Sequence, residues 1–180
     1  MRKPLWVMVM VAVGVVAIDQ LSKYTVSTML PLGGTWSPFP GVAPFFQIIY
    51  TYNTGVAFGL FKDLGPAFAL IPLVVVSIIL LYGRKLRNDQ WLSGVALGLM
   101  LGGALGNVLD RIWLGHVIDF IDVGVGATRW YTSNLADVSI VTGVILLGLA
   151  TVLDERKARR AGRSQPPAAG QEAESPPVSN

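Results

Sequence analysis

Two aspartates in the second half of the chain combine an acidic side chain with surroundings that favour chemistry. Asp119 occurs in GHVIDFIDV, with two apolar residues on each side of it, and Asp137 occurs in YTSNLADVSI, at the start of a long apolar run. A carboxyl group in apolar surroundings has a raised pKa or needs a partner. These two residues are therefore the first candidates for a reactive pair.

The chemistry open to Asp119 and Asp137 depends on whether they face each other. Two carboxylates within about 3–5 Å cannot both ionise easily, so they share one proton. The ionised one can then act as general base toward water, while the protonated one polarises a carbonyl group. This is aspartic-protease chemistry, and it requires no metal, thiol or histidine.

Three alternatives to a reactive pair stay open for these aspartates. Asn134 could simply cap a helix in which Asp137 lies in the first turn, where the helix dipole favours its charge. A proton-coupled carrier could use both carboxylates as a relay, although the chain shows no inverted repeat. A structural or assembly protein of the membrane would use neither carboxylate chemically.

The composition indicates a membrane protein. Of 180 residues, 52% are hydrophobic and 14% charged, whereas soluble domains carry about 25% charged residues. The absence of cysteine excludes disulfides and thiol catalysis, and the single histidine, His116, excludes a multi-histidine metal site within one chain. We therefore expect no metal and no cofactor, and the net charge of +3 is too small to suggest nucleic acid as a partner.

Apolar runs predict an α-helical integral membrane protein with four transmembrane helices and a small extracytoplasmic β-rich segment. A span needs about 20 residues, so the first helix must continue through Asp19; it lacks a small-x-small cleavage site, and we expect it to stay attached. We expect a membrane domain over 1–154 and a disordered cytoplasmic tail over 155–180. The predicted spans are residues 5–24, 65–82, 91–109 and 135–153.

The segments between the spans fall on two sides of the membrane. Ten of the 14 Lys and Arg residues precede span 1, join spans 2 and 3, or follow span 4. The positive-inside rule then places both termini in the cytoplasm and segments 31–62 and 110–134 outside. Residues 45–53 (FFQIIYTYN) alternate in the manner of a β-strand.

Charged residues also occur near the predicted helix ends. Asp19 and Lys23 are spaced i, i+4 and should pair on one face of the first helix. Asp110 and Arg111 are expected to form an ordinary charge pair at the end of span 3, and Asp122 is expected on the exposed surface.

Span 3 carries two rows of residues at four-residue spacing. One row consists of glycines, which allow another helix to approach closely in lipid. The other row would carry polar groups toward the outer helix end. The glycine row is Gly94, Gly98, Gly102 and Gly106, and the polar row is Gly103, Asn107 and Arg111.

Five sequence blocks follow one another along the chain: DQLSK at 19–23, NTGVAF at 53–58, GGALGNVLDR at 102–111, VIDF at 117–120 and NLAD at 134–137. With these blocks in this order, the chain resembles the lipoprotein signal peptidase (signal peptidase II) family of bacterial membrane aspartyl endopeptidases. The resemblance covers about residues 5–153.

The resemblance implies a role for each matching residue. Asp119 and Asp137 match the catalytic aspartates of the family. The residues that match positions binding substrate or supporting the site are Asn53, Asn107, Arg111, Asn134, Gly103, Asp19 and Lys23.

The resemblance also implies a substrate and a location. The substrate would be a prolipoprotein whose cysteine already carries diacylglycerol, cut on the amino side of that cysteine beside membrane lipid. The location would be the bacterial inner membrane, with the active site on its outer side. One position departs from the family pattern: Ser133 precedes Asn134 where Phe is common, which bears on the packing around Asn134.

Overall fold

The fold combines a helical bundle with a small sheet at one end of it. The computed structural model of the chain describes residues 2–54 and 65–163. Residues 55–62 of the predicted outer segment and 164–180 of the predicted tail lie outside this part. The described elements are α1 (Lys3–Met29), β1 (Thr35–Trp36), β2 (Phe46–Asn53), α2 (Gly65–Gly83), α3 (Trp91–Leu114), β3 (Val117–Val125), β4 (Thr128–Arg129) and α4 (Leu135–Arg163).

Three helices have the length and composition of membrane spans. In the described part of the chain, α1, α3 and α4 are long and apolar enough to cross a bilayer. Within α2, the part Pro72–Gly83 is apolar but shorter. A helix satisfies its own backbone hydrogen bonds, which is what the hydrocarbon core requires. The structure therefore supports a mainly helical integral membrane protein.

Helix α4 is longer than the sequence predicted. We expected a disordered tail from residue 155, but α4 continues to Arg163. The residues beyond the apolar run (ERKARRAGR) are mostly good helix formers, and Arg and Lys side chains near a helix C-terminus interact favourably with its dipole. The polarity of these residues is therefore compatible with a solvent-exposed extension of α4.

The glycine row of α3 is the surface against which α1 packs. A Cβ atom on Gly98 would lie 2.7 Å from the Met8 carbonyl oxygen of α1, and Gly94 and Gly102 approach α1 carbonyls in the same way. The absence of side chains lets the two backbones meet. Since α1 covers this row, the row does not provide a surface for a signal peptide.

Helix α3 packs closely against α4 in the same way, through glycines on another face of α3 and on α4. Gly103 of α3 lies against the backbone carbonyl of Ala136, and Gly143 of α4 lies against that of Ala96. Helix α3 is consequently the central helix, in contact with α1 on one side and α4 on the other. This close approach brings together polar groups from three helices.

The sheet is antiparallel, with strand order β1-β2-β3-β4. The predicted strand over 45–53 corresponds to β2, which confirms the expected β-structure. Its neighbour β3 comes from the 110–134 segment, where no strand was predicted, and Thr51 pairs with Asp119 across the two strands. Strand β3 therefore carries Asp119 into the sheet beside the end of β2.

Asp122 is buried, contrary to the expectation of an exposed surface carboxylate. It is 5% exposed and forms a salt bridge of 3.0 Å with Arg129. Gln47 of β2 donates a further hydrogen bond to it, and Arg129 also donates to the Pro44 carbonyl oxygen. We call these three side chains, Gln47, Asp122 and Arg129, the sheet clasp, because they join β2, β3 and β4.

The glycine contacts predict opposite effects for two alanine substitutions. In Gly98→Ala the new methyl group would meet α1, and overpacking of this kind costs about 1–3 kcal/mol. In Gly148→Ala no atom lies within 4 Å of the new methyl group, so the variant should gain up to about 1 kcal/mol of helix propensity. Thermal unfolding of both variants in detergent tests this; a Gly98→Ala protein as stable as Gly148→Ala would contradict it.

Candidate active site

The structure brings the predicted site residues to one end of the bundle. Asp119 lies on β3 and Asp137 in the first turn of α4. Asn134 lies between them in the chain, and it is fully buried. The other predicted residues come from β2 (Asn53), α1 (Asp19, Lys23) and α3 (Gly103, Asn107, Arg111).

Asn134 links the two aspartates. Its side-chain oxygen accepts a hydrogen bond of 3.0 Å from the backbone N–H of Asp137, which is the predicted helix cap. Its Nδ2 atom donates to Asp119 Oδ1 at 2.8 Å. Because the cap uses the amide oxygen, the NH₂ group must face Asp119. Capping and a paired site are thus two functions of one side chain.

Ser133 holds Asn134 in place through its backbone. Its carbonyl oxygen accepts from the N–H groups of Phe120 and Ile121 at 2.8 Å and 2.7 Å, and its N–H donates to Ile121 at 3.0 Å. These bonds attach the residue to β3 whatever its side chain is. The departure from the family pattern at this position therefore leaves the placement of Asn134 intact.

Asn107 presents its NH₂ group to the other aspartate. Its Nδ2 atom donates to Asp137 Oδ1 at 2.8 Å. Its Oδ1 atom accepts from Lys23 and from Asn134, each at 3.2 Å. Since the Lys23 ammonium can only donate, it determines which end of the Asn107 amide faces Asp137.

Lys23 lies inside a buried cluster of opposite charges. Its ammonium is 2.7 Å from Asp19 and 2.8 Å from Asp110, and all three residues are at most 2% exposed. The predicted Asp19–Lys23 pair is confirmed, but the expected charge pair of Asp110 with Arg111 at the end of span 3 is wrong, because Asp110 pairs with Lys23. Breaking such a buried pair leaves an uncompensated charge and costs about 3–5 kcal/mol.

The same carboxylates attach α1 and α3 to the rest of the site. Asp19 accepts from the backbone N–H of Ala136 at 2.9 Å. Asp110 accepts from the N–H of Ile118 at 3.1 Å and from the Gln20 side chain at 2.8 Å. Asp110 and Gln20 were missed in the sequence, although Asp110 follows Asn107 at i, i+3 and so shares its helix face.

Arg111 and Gly103 lie at the edge of this arrangement. Arg111 donates to the Asn107 carbonyl oxygen at 3.0 Å, in the last turn of α3, where a cation is favourable. Gly103 lies one turn before Asn107 and contributes close packing of α3 on α4.

Asp119 lies in surroundings that disfavour the ionised form of its carboxyl group. Burial of the side chain, with the nearby negative charge of Asp137, raises the pKa of Asp119 to about 6. Hydrogen bonds from Asn134 and Asn53 and the charge of Lys23 oppose this rise. Asp119 is 3% exposed, whereas Asp137 is half-buried. The two carboxyl groups therefore lie in different environments.

A cavity opens beside Asp119. It has a volume of about 240 Å³ and lies where the end of β2 meets the loop before α4. On its wall, the Asn53 side chain donates a hydrogen bond to the Tyr131 hydroxyl. The lining residues are Thr51, Tyr52, Asn53, Thr54, Asp119, Tyr131 and Thr132.

Comparison with known proteins gives matches over most of the chain. A family model described as signal peptidase (SPase) II matches residues 11–153. A lipoprotein signal peptidase of Moorella thermoacetica is 42% identical over 77% of this chain and 87% of its own length. A lipoprotein signal peptidase of Geobacter sulfurreducens is 37% identical over 82% of this chain and 92% of its own length.

Solved structures show the same fold. One bacterial membrane enzyme has a TM-score of 0.71 and 29% identity and covers 91% of this chain and 94% of its own. A second bacterial membrane enzyme has the same TM-score and 32% identity, and it covers 80% of this chain and 91% of its own. The match of the family model to most of the chain, together with these relatives, shows that the chain belongs to the signal peptidase II family of membrane aspartyl peptidases.

Proposed function

We propose that this chain removes signal peptides from diacylglyceryl-modified prolipoproteins by cutting on the amino side of the lipidated cysteine, with Asp119 and Asp137 as its catalytic pair. The observation that carries this proposal is the Asn134 side chain, which binds the carboxyl group of Asp119 and the backbone N–H of Asp137 at once. The relatives are lipoprotein signal peptidases, and this favours a prolipoprotein substrate.

The different environments of the carboxyl groups suggest how the roles divide. Asp119, whose pKa is raised to about 6, would be the carboxyl group that holds the shared proton when the pair is singly protonated. Asp137, half-buried in the first turn of α4, would be the general base toward water.

The proposed reaction returns both groups to their starting states. Asp137 takes a proton from water as the water oxygen adds to the scissile carbonyl carbon, and Asp119 gives its proton to the carbonyl oxygen. Asp137 then protonates the leaving nitrogen as the C–N bond breaks, and Asp119 recovers a proton from the tetrahedral intermediate. The products are the carboxyl end of the signal peptide and the free amine of the lipidated cysteine.

The surrounding residues would act by positioning the pair. Asn107 and Asn134 each donate an N–H to one of the carboxyl groups. Lys23 and Asp19 would fix Asn107 and the start of α4, respectively. The remaining proposed supporting residues are Asn53, Arg111 and Gly103.

We propose that α2 is a fourth span and that the pair lies at the outer face of the inner membrane. Positive charge supports this orientation, since Arg84, Lys85 and Arg87 fall between α2 and α3. Both termini would then be cytoplasmic, and the sheet would lie outside. The lipid of the substrate could remain in the bilayer while its peptide reaches Asp119.

The relatives are peptidases and give the carrier hypothesis no support.

Amide substitution should separate the catalytic aspartates from the structural one. Asp119→Asn and Asp137→Asn should each abolish cleavage of a diacylglyceryl-modified prolipoprotein by purified protein in detergent, because neither variant has a pair that can share a proton. Asp19→Asn should retain part of the activity, and Asp89→Asn, on an exposed loop, should retain all of it. Normal cleavage by either Asp119→Asn or Asp137→Asn would overturn the assignment.

The raised pKa of Asp119 predicts a pH-dependent gain of stability in Asp119→Asn. Between pH 4 and 6 the folded chain holds a proton that the unfolded chain releases, so the stability that Asp119 contributes falls as the pH rises through this range. At pH 8 the neutral amide should therefore stabilise the protein by up to about 3 kcal/mol, and at about pH 3, below the ordinary pKa of an aspartate, the difference should vanish. Thermal unfolding at both pH values, with Asp89→Asn as control, measures this; a variant less stable than wild type at pH 8 would refute it.

The orientation can be tested because the chain has no cysteine. A membrane-impermeant maleimide should label Gly41→Cys, in the exposed loop before β2, in intact cells with a permeable outer membrane. It should label Asn88→Cys, between α2 and α3, only after lysis. The reverse pattern would invert the proposed topology.

A further inference from the structure

Three basic residues lie at the end of the bundle opposite the proposed catalytic pair. Lys3 is in the first turn of α1, and Arg84 and Lys85 directly follow α2. All three side chains are exposed. We call these three residues the basic corner. The chemistry proposed for Asp119 and Asp137 makes no use of them.

A hydrogen bond holds the two segments of the basic corner side by side. Arg2 donates from Nη1 to the Leu86 carbonyl oxygen at 3.1 Å, across 84 positions of sequence. The Leu86 side chain is buried in the same apolar core as Met8 of α1. A Cβ atom on Gly83 would lie 2.7 Å from Met8 Sδ. The start of α1 and the end of α2 are therefore in close contact, and their cations share one region of the surface.

The positive charge of the basic corner has no counter-ion among the residues that the structure describes. No described carboxylate forms a salt bridge with any of its three side chains, and the sequence has no acidic residue over 1–18 or 64–88. Arg87 differs, because it pairs with Asp89 at 2.7 Å. The helix dipole gives no reason for Lys3 either, since a helix N-terminus disfavours a cation.

Aromatic side chains indicate the depth of the basic corner in the membrane. Trp6 is exposed one turn after Lys3, and Tyr82 is exposed in the last turn of α2. Trp91, at the start of α3, is exposed as well. Tyr and Trp at the ends of membrane helices lie at the level of the lipid head groups. The neighbouring cations of the basic corner therefore face lipid phosphates.

We propose that the basic corner is a binding site for the head group of an anionic phospholipid. The phosphodiester accepts hydrogen bonds from the Arg84 guanidinium and from the Lys3 and Lys85 ammonium groups, and charge assistance strengthens these bonds. Basic pockets between membrane helices bind anionic head groups in this way. The proposal depends neither on the peptidase activity nor on which side of the membrane this end of the bundle faces.

The extension of α4 provides a matched control. Arg156, Lys157 and Arg159 are exposed near the same end of the bundle. Acidic residues lie beside them, however, and Lys157 lines a polar cavity together with Asp89 and Asp154. The variant Arg156→Gln/Lys157→Gln/Arg159→Gln, which we call the α4 control, removes as much positive charge as neutralisation of the basic corner. It leaves the basic corner intact.

Thermal unfolding of the purified full-length protein in detergent tests the proposal. Added phosphatidylglycerol should raise the Tm with increasing dose, because a ligand that binds only the folded state stabilises it. Phosphatidylcholine, which has no net charge, should raise the Tm much less at the same mole fraction, and inorganic phosphate should not raise it. An equal rise with phosphatidylcholine or with inorganic phosphate would overturn the proposal.

Neutral substitutions test whether the lipid binds at the basic corner. In Lys3→Gln/Arg84→Gln/Lys85→Gln, the phosphatidylglycerol dose for half of the maximal Tm rise should increase roughly a hundredfold, since each Lys or Arg beside an anionic membrane surface changes affinity about fivefold. The α4 control should respond like wild type. An unchanged response of the neutral variant, or an equal loss in the α4 control, would refute a site at the basic corner.

Two further variants separate a lost lipid site from a lost fold. Lys3→Arg/Arg84→Lys/Lys85→Arg keeps every charge, so it should keep the response to phosphatidylglycerol. Lys85→Gln alone should weaken the response about fivefold, and it should have the wild-type Tm in phosphatidylcholine. A charge-preserving variant that folds but does not respond, or a Lys85→Gln protein that responds like wild type, would contradict the proposal.

Discussion

The site depends on one ammonium group held between two carboxylates in the interior of the bundle. Lys23 contacts Asp19 and Asp110 at 2.7 Å and 2.8 Å, so one positive charge is shared by a carboxylate of α1 and a carboxylate of α3 in the buried interior. A buried ion pair is a poor source of stability compared with apolar packing, but loss of one member is severe. Its value here is geometric, because the ammonium also directs the Asn107 amide toward Asp137. Unpaired, each of these groups would have to be solvated, and the helices could not meet at this point.

The charged cluster can be buried because α3 carries small residues where the other helices contact it. A Cβ atom on Gly106 would lie 2.6 Å from Asp19 Oδ2, so only glycine leaves space for that carboxylate. The same residue provides a carbonyl oxygen that accepts from Gln20 at 3.2 Å. Small residues in a membrane helix thus serve polar chemistry as well as close packing.

Local patterns predicted much of this structure, and long-range contacts account for what they did not predict. Asp119, Asp137 and Asn134 could be found because apolar flanks and helix-start spacing are visible in a short stretch of sequence. Asp110 was assigned to its chain neighbour Arg111, while its actual partner Lys23 lies 87 positions earlier on another helix. Asp122 was expected at the surface because its clasp with Arg129 forms only when the strands pair. Strand β3 was overlooked because its β-branched residues were treated as the surroundings of Asp119.

The cap on α4 has a consequence for when this enzyme becomes active. Asn134 can cap the helix and bind Asp119 at once only when α4 has formed its first turn and docked beside β3. A chain in which α4 has not yet inserted therefore lacks the assembled pair of Asp119 and Asp137 that we propose as catalytic, even though the segments before α4 are in place. Insertion of α4 completes both the described bundle and the proposed site, so hydrolysis by this pair would require the membrane insertion of α4.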